Sequence, residues 1–116
     1  MTGVQTCALP IYHWLLPTIK TKDSAVATIT RVEVLGFRNI QPREEAFFVR
    51  YFSNIQQYPL TENIILKAIE LRKRKKIKLG DSIIAATALI YNAELYTRNT
   101  PDFNWIKNLT VINPIP

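Results

Sequence analysis

The chain has 116 residues, of which 47% are hydrophobic and 21% charged, and its net charge at pH 7 is +6. This length suits one domain with one core, and this balance argues against intrinsic disorder. The single cysteine and the single histidine exclude a disulfide within the chain and a cysteine or histidine zinc cluster. A basic domain favours a polyanionic partner such as nucleic acid, although a basic protein without such a partner stays the alternative. The longest apolar run, 82–91, is about half the length that a membrane span needs, so we expect a cytoplasmic protein.

The first eleven residues, MTGVQTCALPI, carry no charge and have neither helical nor strand periodicity. They resemble the translation of a short-read sequencing adapter. We therefore interpret residues 1–11 as a non-native segment and residues 12–116 as the domain. A natural apolar N-terminal strand is the alternative.

Strand and helix patterns alternate along the remaining chain. Residues 24–29 are small or β-branched, which predicts a buried strand. Thr30 then occupies the position of an N-cap, with Glu33 three residues later as in a capping box. An aromatic stripe at helical spacing follows Pro42.

The second half of the chain continues this alternation. Thr61 precedes a helix predicted over 62–76, and Asp81 begins a helix that is apolar on nearly every side and is therefore expected to be buried. Two further short strands are predicted over 95–97 and 110–112. The alternation predicts an α/β sandwich with a parallel sheet, whose strands bring ligands to their carboxyl ends.

Three carboxylates stand where predicted strands and helices meet, namely Glu33, Asp81 and Asp102. Each has an ordinary structural explanation, because acids cap helices and suit the positive end of the helix dipole. Carboxylates that cluster repel one another unless a cation neutralises them, and Mg²⁺ suits such oxygen ligands. Together with the basic composition, they are candidate metal ligands for phosphodiester hydrolysis.

Six of the fifteen basic residues fall within seven positions, and these are Arg72, Lys73, Arg74, Lys75, Lys76 and Lys78. The cluster leads directly to Asp81, which favours contact with an RNA backbone. The alternative is a solvated helix end whose cations suit the negative end of the helix dipole.

Three segments resemble the acidic motifs of the VapC-like PIN-domain ribonucleases. Residues 29–36, ITRVEVLG, are similar to the second motif of that family, residues 79–88, LGDSIIAATA, to the third, and residues 96–103, YTRNTPDF, to the fourth. The ending over 111–114 is also typical of the family. The third and fourth motifs together are specific, while the second alone is weak.

The resemblance implies a PIN-like three-layer sandwich and a Mg²⁺- or Mn²⁺-dependent endoribonuclease. Such a protein is usually the dimeric toxin of a toxin–antitoxin pair and is silenced by an antitoxin protein. The catalytic residues implied are Glu33, Asp81, Asp102 and Asn99, the first three also as metal ligands, with Thr97 as a further polar neighbour. The RNA-binding residues expected are Lys73, Lys75, Lys76, Lys78 and Arg98.

The N-terminal part departs from the family pattern, which begins with a strand ending in Asp and then a helix. No acid precedes Asp23 in this chain. We therefore expect an N-terminally truncated PIN domain without its first, central strand and first helix, which folds poorly and has little or no activity. Two alternatives stay open, namely a decayed, non-catalytic PIN-fold protein that binds antitoxin and a PIN nuclease of RNA processing.

Overall fold

A computed structural model describes residues 3–5 and 24–113 of the chain. Helices and strands alternate in it, as the sequence predicts. In chain order the elements are β1 (Gly3–Gln5), β2 (Ser24–Ala27), α1 (Thr28–Leu35), α2 (Pro42–Asn54), β3 (Gln56–Tyr58), α3 (Glu62–Arg74), α4 (Leu79–Ile90), β4 (Glu94–Tyr96), α5 (Thr100–Phe103) and β5 (Val111–Ile112).

The strands form one parallel sheet in the order β3-β2-β1-β4-β5. The expectation that the central strand would be missing is wrong, because Gly3–Gln5 pairs with β2 on one side and β4 on the other. A strand in this position satisfies backbone groups of both neighbours, which do not pair with each other. Whether residues 1–11 are native stays a prediction, and the expected loss of a first helix concerns residues outside the described part.

Helices cover both faces of the sheet. Along β2 the side chains alternate, so that Ala25 and Ala27 belong to one hydrophobic cluster and Val26 to another. The first cluster is completed mainly by α3 and α4, and the second by Val34 of α1 with Phe48 and Phe52 of α2. This confirms the α/β sandwich with a parallel sheet.

Helix α4 is the most buried helix that the structure describes. Seven consecutive residues, 82–88, are buried, as the lack of a polar face predicts. The helix begins at Leu79, two residues before the predicted start, because the Ser82 backbone N–H donates to the Lys78 carbonyl at 2.9 Å. Asp81 therefore lies within the first turn. Among the described residues, no helix has both the length and the apolarity that a bilayer crossing requires.

Two other element boundaries in the structure differ from the predicted ones. The strand over 24–29 ends at Ala27, and α1 begins at Thr28, whose hydroxyl donates to the Tyr58 carbonyl at 3.2 Å. Thr30 is consequently a buried residue inside α1, and the predicted capping box with Glu33 is wrong. Helix α3 ends at Arg74 instead of residue 76. Its predicted cap is confirmed, since the Thr61 hydroxyl accepts from the Ile64 N–H.

The α2 cluster offers a test of this packing. Phe48 is 0% exposed, so Phe48→Ala should lower the free energy of unfolding by about 3–5 kcal/mol through the cavity that it leaves. Phe37→Ala is the matched control, because Phe37 is 43% exposed, and it should cost less than about 1 kcal/mol. Urea unfolding of the variants measures both. Equal losses for the two variants would contradict this assignment of the core.

Candidate active site

The three candidate carboxylates lie on helices near the carboxyl ends of the strands. Glu33 lies in the last turn of α1, which directly follows β2, and Asp102 lies in α5, which follows β4. Asp81 lies in the first turn of α4, where the helix dipole favours an acid. Asp81 is half-buried, whereas Glu33 and Asp102 are exposed as whole residues.

The position of the Glu33 carboxylate against α4 depends on Gly80. A Cβ atom at this position would lie 2.9 Å from Cδ of Glu33 and closer still to one of its carboxylate oxygens. The glycine therefore leaves the space in which the Glu33 carboxylate rests, beside the first turn of α4. This contact brings Glu33 into range of Asp81, as the sequence predicts for these two residues.

The acids perturb one another. Burial raises the pKa of Asp81, Lys78 opposes this, and the negative charge of Asp102 raises the pKa further. Burial beside α4 also raises the pKa of Glu33, the charge of Asp81 adds to the effect, and Lys78 again opposes it. Asp81 is thus the common neighbour of two other carboxylates.

The three carboxylates, Glu33, Asp81 and Asp102, fit a hard cation only in part. The donors are carboxylate oxygens, and a cation would relieve both their repulsion and their desolvation. Within residues 24–113, however, no three potential ligands are grouped tightly enough to hold a metal ion by themselves. Mg²⁺ commonly binds one or two carboxylates and keeps several waters, so a looser set is compatible with it. The ligand set Glu33, Asp81 and Asp102 stays a prediction.

A cleft of about 330 Å³ opens beside Asp81 and Asp102. Its lining combines these two acids with three lysines and three apolar residues, which are Lys75, Lys76, Lys78, Ile77, Pro101 and Trp105. The structure therefore brings together Asp81, Asp102 and three of the predicted RNA-binding lysines. Glu33 adjoins this group through Gly80 but does not line the cleft itself.

Sequence reasoning missed Trp105. The indole N–H donates to the Asp102 carbonyl at 2.8 Å, and Lys75 Nζ lies 5.6 Å from the ring centroid. The only signal in the sequence was its position three residues after Asp102, close enough along the chain for a turn to bring the two together.

The structure does not bring Asn99, Lys73 or Arg98 into the cleft, although all three were expected near the substrate. The Asn99 side chain is exposed and caps no helix N–H. Its backbone matters instead, because the Asn99 carbonyl accepts from the Asp102 N–H at 3.0 Å and its own N–H donates to the buried Thr97 hydroxyl at 3.0 Å. These bonds fix the turn that presents Asp102.

The basic cluster divides at the end of α3. Arg72, Lys73 and Arg74 occupy the last helical turn, where cations suit the dipole, and Arg74 pairs with Glu70 at 3.0 Å. Lys73 is exposed there, outside the cleft, and so is Arg98 after β4. The alternative of a solvated helix end therefore describes the first three residues of the cluster. The last three residues of the cluster line the cleft instead.

Comparison with known proteins places this geometry in context. The family model of the PIN domain matches residues 13–104. The chain is 29% identical over 101 residues to ribonuclease VapC10 of Mycobacterium tuberculosis, with 83% of this chain and 74% of that protein covered.

Solved structures have the same fold. A toxin–antitoxin complex from Klebsiella pneumoniae is 25% identical with a TM-score of 0.71, and 97% of each chain is covered. VapBC2 from Rickettsia felis, bound to a promoter DNA fragment, is 21% identical with a TM-score of 0.77, covering 97% of this chain and 98% of that chain. The likeness to the second structure concerns the fold alone.

The crowding of acids predicts that one substitution stabilises the protein. Glu33→Gln should raise the free energy of unfolding at pH 7 in metal-free buffer by about 0.3–0.5 kcal/mol. The substitution removes the desolvation of a charged carboxylate, its repulsion by Asp81 and an acid from the last turn of α1, and solvent around this exposed residue keeps the gain small. The folded-state pKa of Glu33 is raised, so wild-type stability is lost as pH rises through that pKa. The advantage of the variant should vanish at lower pH, where Glu33 is protonated in both states.

Urea unfolding as a function of pH measures this difference. Glu45→Gln is the control, because Glu45 lies in the first turn of α2, where neutralisation removes a favourable dipole interaction. A Glu33→Gln variant that is less stable than wild type at pH 7 would show that the carboxylate is not under strain.

Proposed function

Because the chain belongs to the PIN domain family, we propose that it is a Mg²⁺- or Mn²⁺-dependent endoribonuclease and the toxin of a toxin–antitoxin pair. The observation that carries this function is Asp81, a half-buried carboxylate that interacts with two further acids beside a cleft lined by three lysines. The family assignment agrees with the resemblance expected from the three acidic motifs.

The lysines and the carboxylates of the site would have different roles in phosphodiester hydrolysis. Lys75, Lys76 and Lys78 would bind the phosphates of the substrate through charge. Asp81 and Asp102, with Glu33 beside them, would hold the cation. When bound, the cation supplies an activated water and neutralises charge on the phosphate. The Glu33 carboxylate, whose raised pKa favours proton uptake, would hold a proton beside the cleft during hydrolysis.

The proposed partners are an antitoxin protein and a second copy of the chain. Solved structures of this fold include a toxin–antitoxin complex and a member of a family of toxin–antitoxin systems, which supports the first. Helix α3 leaves Ile65, Leu66 and Ile69 at least 37% exposed, and such an apolar surface suits association with another protein.

A second candidate function is antitoxin binding without catalysis. It is favoured by the lack of a three-ligand group within residues 24–113 and by the absence of any acid before Asp23 in the sequence. RNA cleavage by the wild-type chain would exclude it, whereas antitoxin binding by a chain that cleaves no RNA would support it.

Asp81 is the residue whose loss tests the nuclease. Asp81→Asn should lower RNA cleavage by roughly 100-fold or more, since it removes the negative charge that interacts with both Glu33 and Asp102. The same variant should lose the rise in melting temperature that Mn²⁺ gives the wild-type protein, because a ligand that binds only the folded state stabilises it. Glu45→Gln, in an exposed position on α2, is the control for both assays. Equal Mn²⁺ stabilisation of wild type and Asp81→Asn would contradict the metal site.

The division of the basic cluster predicts different effects for two lysines three residues apart. Lys76→Glu should weaken RNA binding, because Lys76 lines the cleft. It should also reduce the salt dependence of binding, so that the slope of log K against log salt becomes less negative by about 0.7. Lys73→Glu carries the same charge change outside the cleft and should alter binding much less. Fluorescence anisotropy with a labelled RNA at several salt concentrations measures both. Identical losses would mean that only total charge matters.

A further inference from the structure

We propose that the indole ring of Trp105, which lines the cleft, is a stacking site for one unpaired base of the RNA. This base site rests on the ribonuclease function proposed above and adds a base contact to the phosphate contacts of the lysines. It assigns a role to a side chain that the acidic motifs do not include.

The ring is held in a fixed position relative to the acids. Its N–H donates to the Asp102 carbonyl at 2.8 Å, and part of the ring packs against the core cluster of α3 and α4. The remaining surface lines the cleft together with Asp81 and Asp102. A base stacked there would therefore lie beside the carboxylates that act on the phosphate.

The position of the Lys75 ammonium group over the Trp105 ring indicates that this aromatic surface is accessible to a ligand. Lys75 Nζ lies 5.6 Å from the ring centroid, and Lys75 is an exposed residue on a flexible stem. A base offers the indole a much larger contact than an ammonium group does. On binding, the base would take the ring face and Lys75 would move to the neighbouring phosphate, so both groups keep a partner.

The remaining lining of the cleft favours a nucleotide over an acidic peptide. Ile77 and Pro101 provide apolar surface near the ring, and the volume of about 330 Å³ is at the small end of ligand sites. A neutral base tolerates the nearby Asp81 and Asp102, and the negative charge of a nucleotide lies apart from its base, on the phosphate, where the lysines of the cleft can meet it. Bases in a duplex are covered by their neighbours, so only an unpaired or extruded base can reach the ring.

Fluorescence of Trp105 can report the stacking directly. The chain has two tryptophans, Trp14 and Trp105, so the Trp14→Phe variant leaves Trp105 as the only emitter. In EDTA, a single-stranded RNA hexamer should quench this emission. A hexamer of abasic ribose phosphates, with the same charge, should quench it much less.

Substitution of the ring separates stacking from support of Asp102. Trp105→Ala should weaken binding of the intact hexamer by about 5- to 150-fold, the range for loss of one base–aromatic stack, and leave the affinity for the abasic hexamer unchanged. Trp105→Phe keeps an aromatic face but loses the N–H that reaches Asp102, and should retain most of the affinity. Urea unfolding of each variant checks that the fold is kept.

Each outcome decides between explanations. If Trp105→Ala weakens both hexamers equally, or neither, the base site is wrong even where the wild-type chain cleaves RNA. A wild-type chain that neither binds nor cleaves RNA overturns the ribonuclease function as well. Quenching by an acidic peptide but not by RNA would assign the cleft to a protein partner instead. Preferential cleavage of single-stranded over duplex RNA, lost in Trp105→Ala, supports the base site.

Discussion

The burial of the middle of α4 is the constraint on which the candidate site depends. Residues 82–88 of this helix are buried against α3 and the sheet, so the helix cannot shift or rotate without opening the main hydrophobic cluster. Its first turn carries Asp81 at the boundary of that packing. A carboxylate attached to such a rigid element keeps its position, whereas the same residue on a surface loop would move with solvent.

Rigid placement also forces the acids together. Gly80 lets Glu33 approach the first turn of α4, and the fixed turn before α5 presents Asp102 close enough to Asp81 for their charges to interact. Repulsion and desolvation make this arrangement unfavourable in the absence of a neutralising charge. Lys78 supplies part of that charge within the chain, since its positive charge opposes the rise in the pKa of both Glu33 and Asp81. The strain that remains is what a cation or a protonation event can relieve.

The sequence predicted the parts of this site that depend on local pattern. A helix without a polar face must be buried, and the three acidic motifs predicted that Glu33, Asp81 and Asp102 would lie close together. Their predicted positions at strand-to-helix junctions were wrong for two of them, because Glu33 lies in the last turn of α1 and Asp81 lies in a helix that follows α3. Tertiary contacts decided the rest. Thr28 bonds to the end of β3, which starts α1 early, and β1 fills the gap between β2 and β4 with residues whose composition gave no strand signal. Trp105 was missed because the cleft that it lines is formed together with Lys75, which is 30 residues away in the sequence.

The point at which α3 ends shows how such tertiary packing determines chemistry. No glycine or proline stops this helix. Lys75 adopts an extended backbone, and Ile77, two residues later, packs against the main core cluster. Burial of Ile77 thus draws the chain away from the helix axis, and the lysines beside it come to line the cleft instead of following the helix as Lys73 does. One apolar contact therefore separates the cations that can meet a substrate from those that only suit a helix dipole.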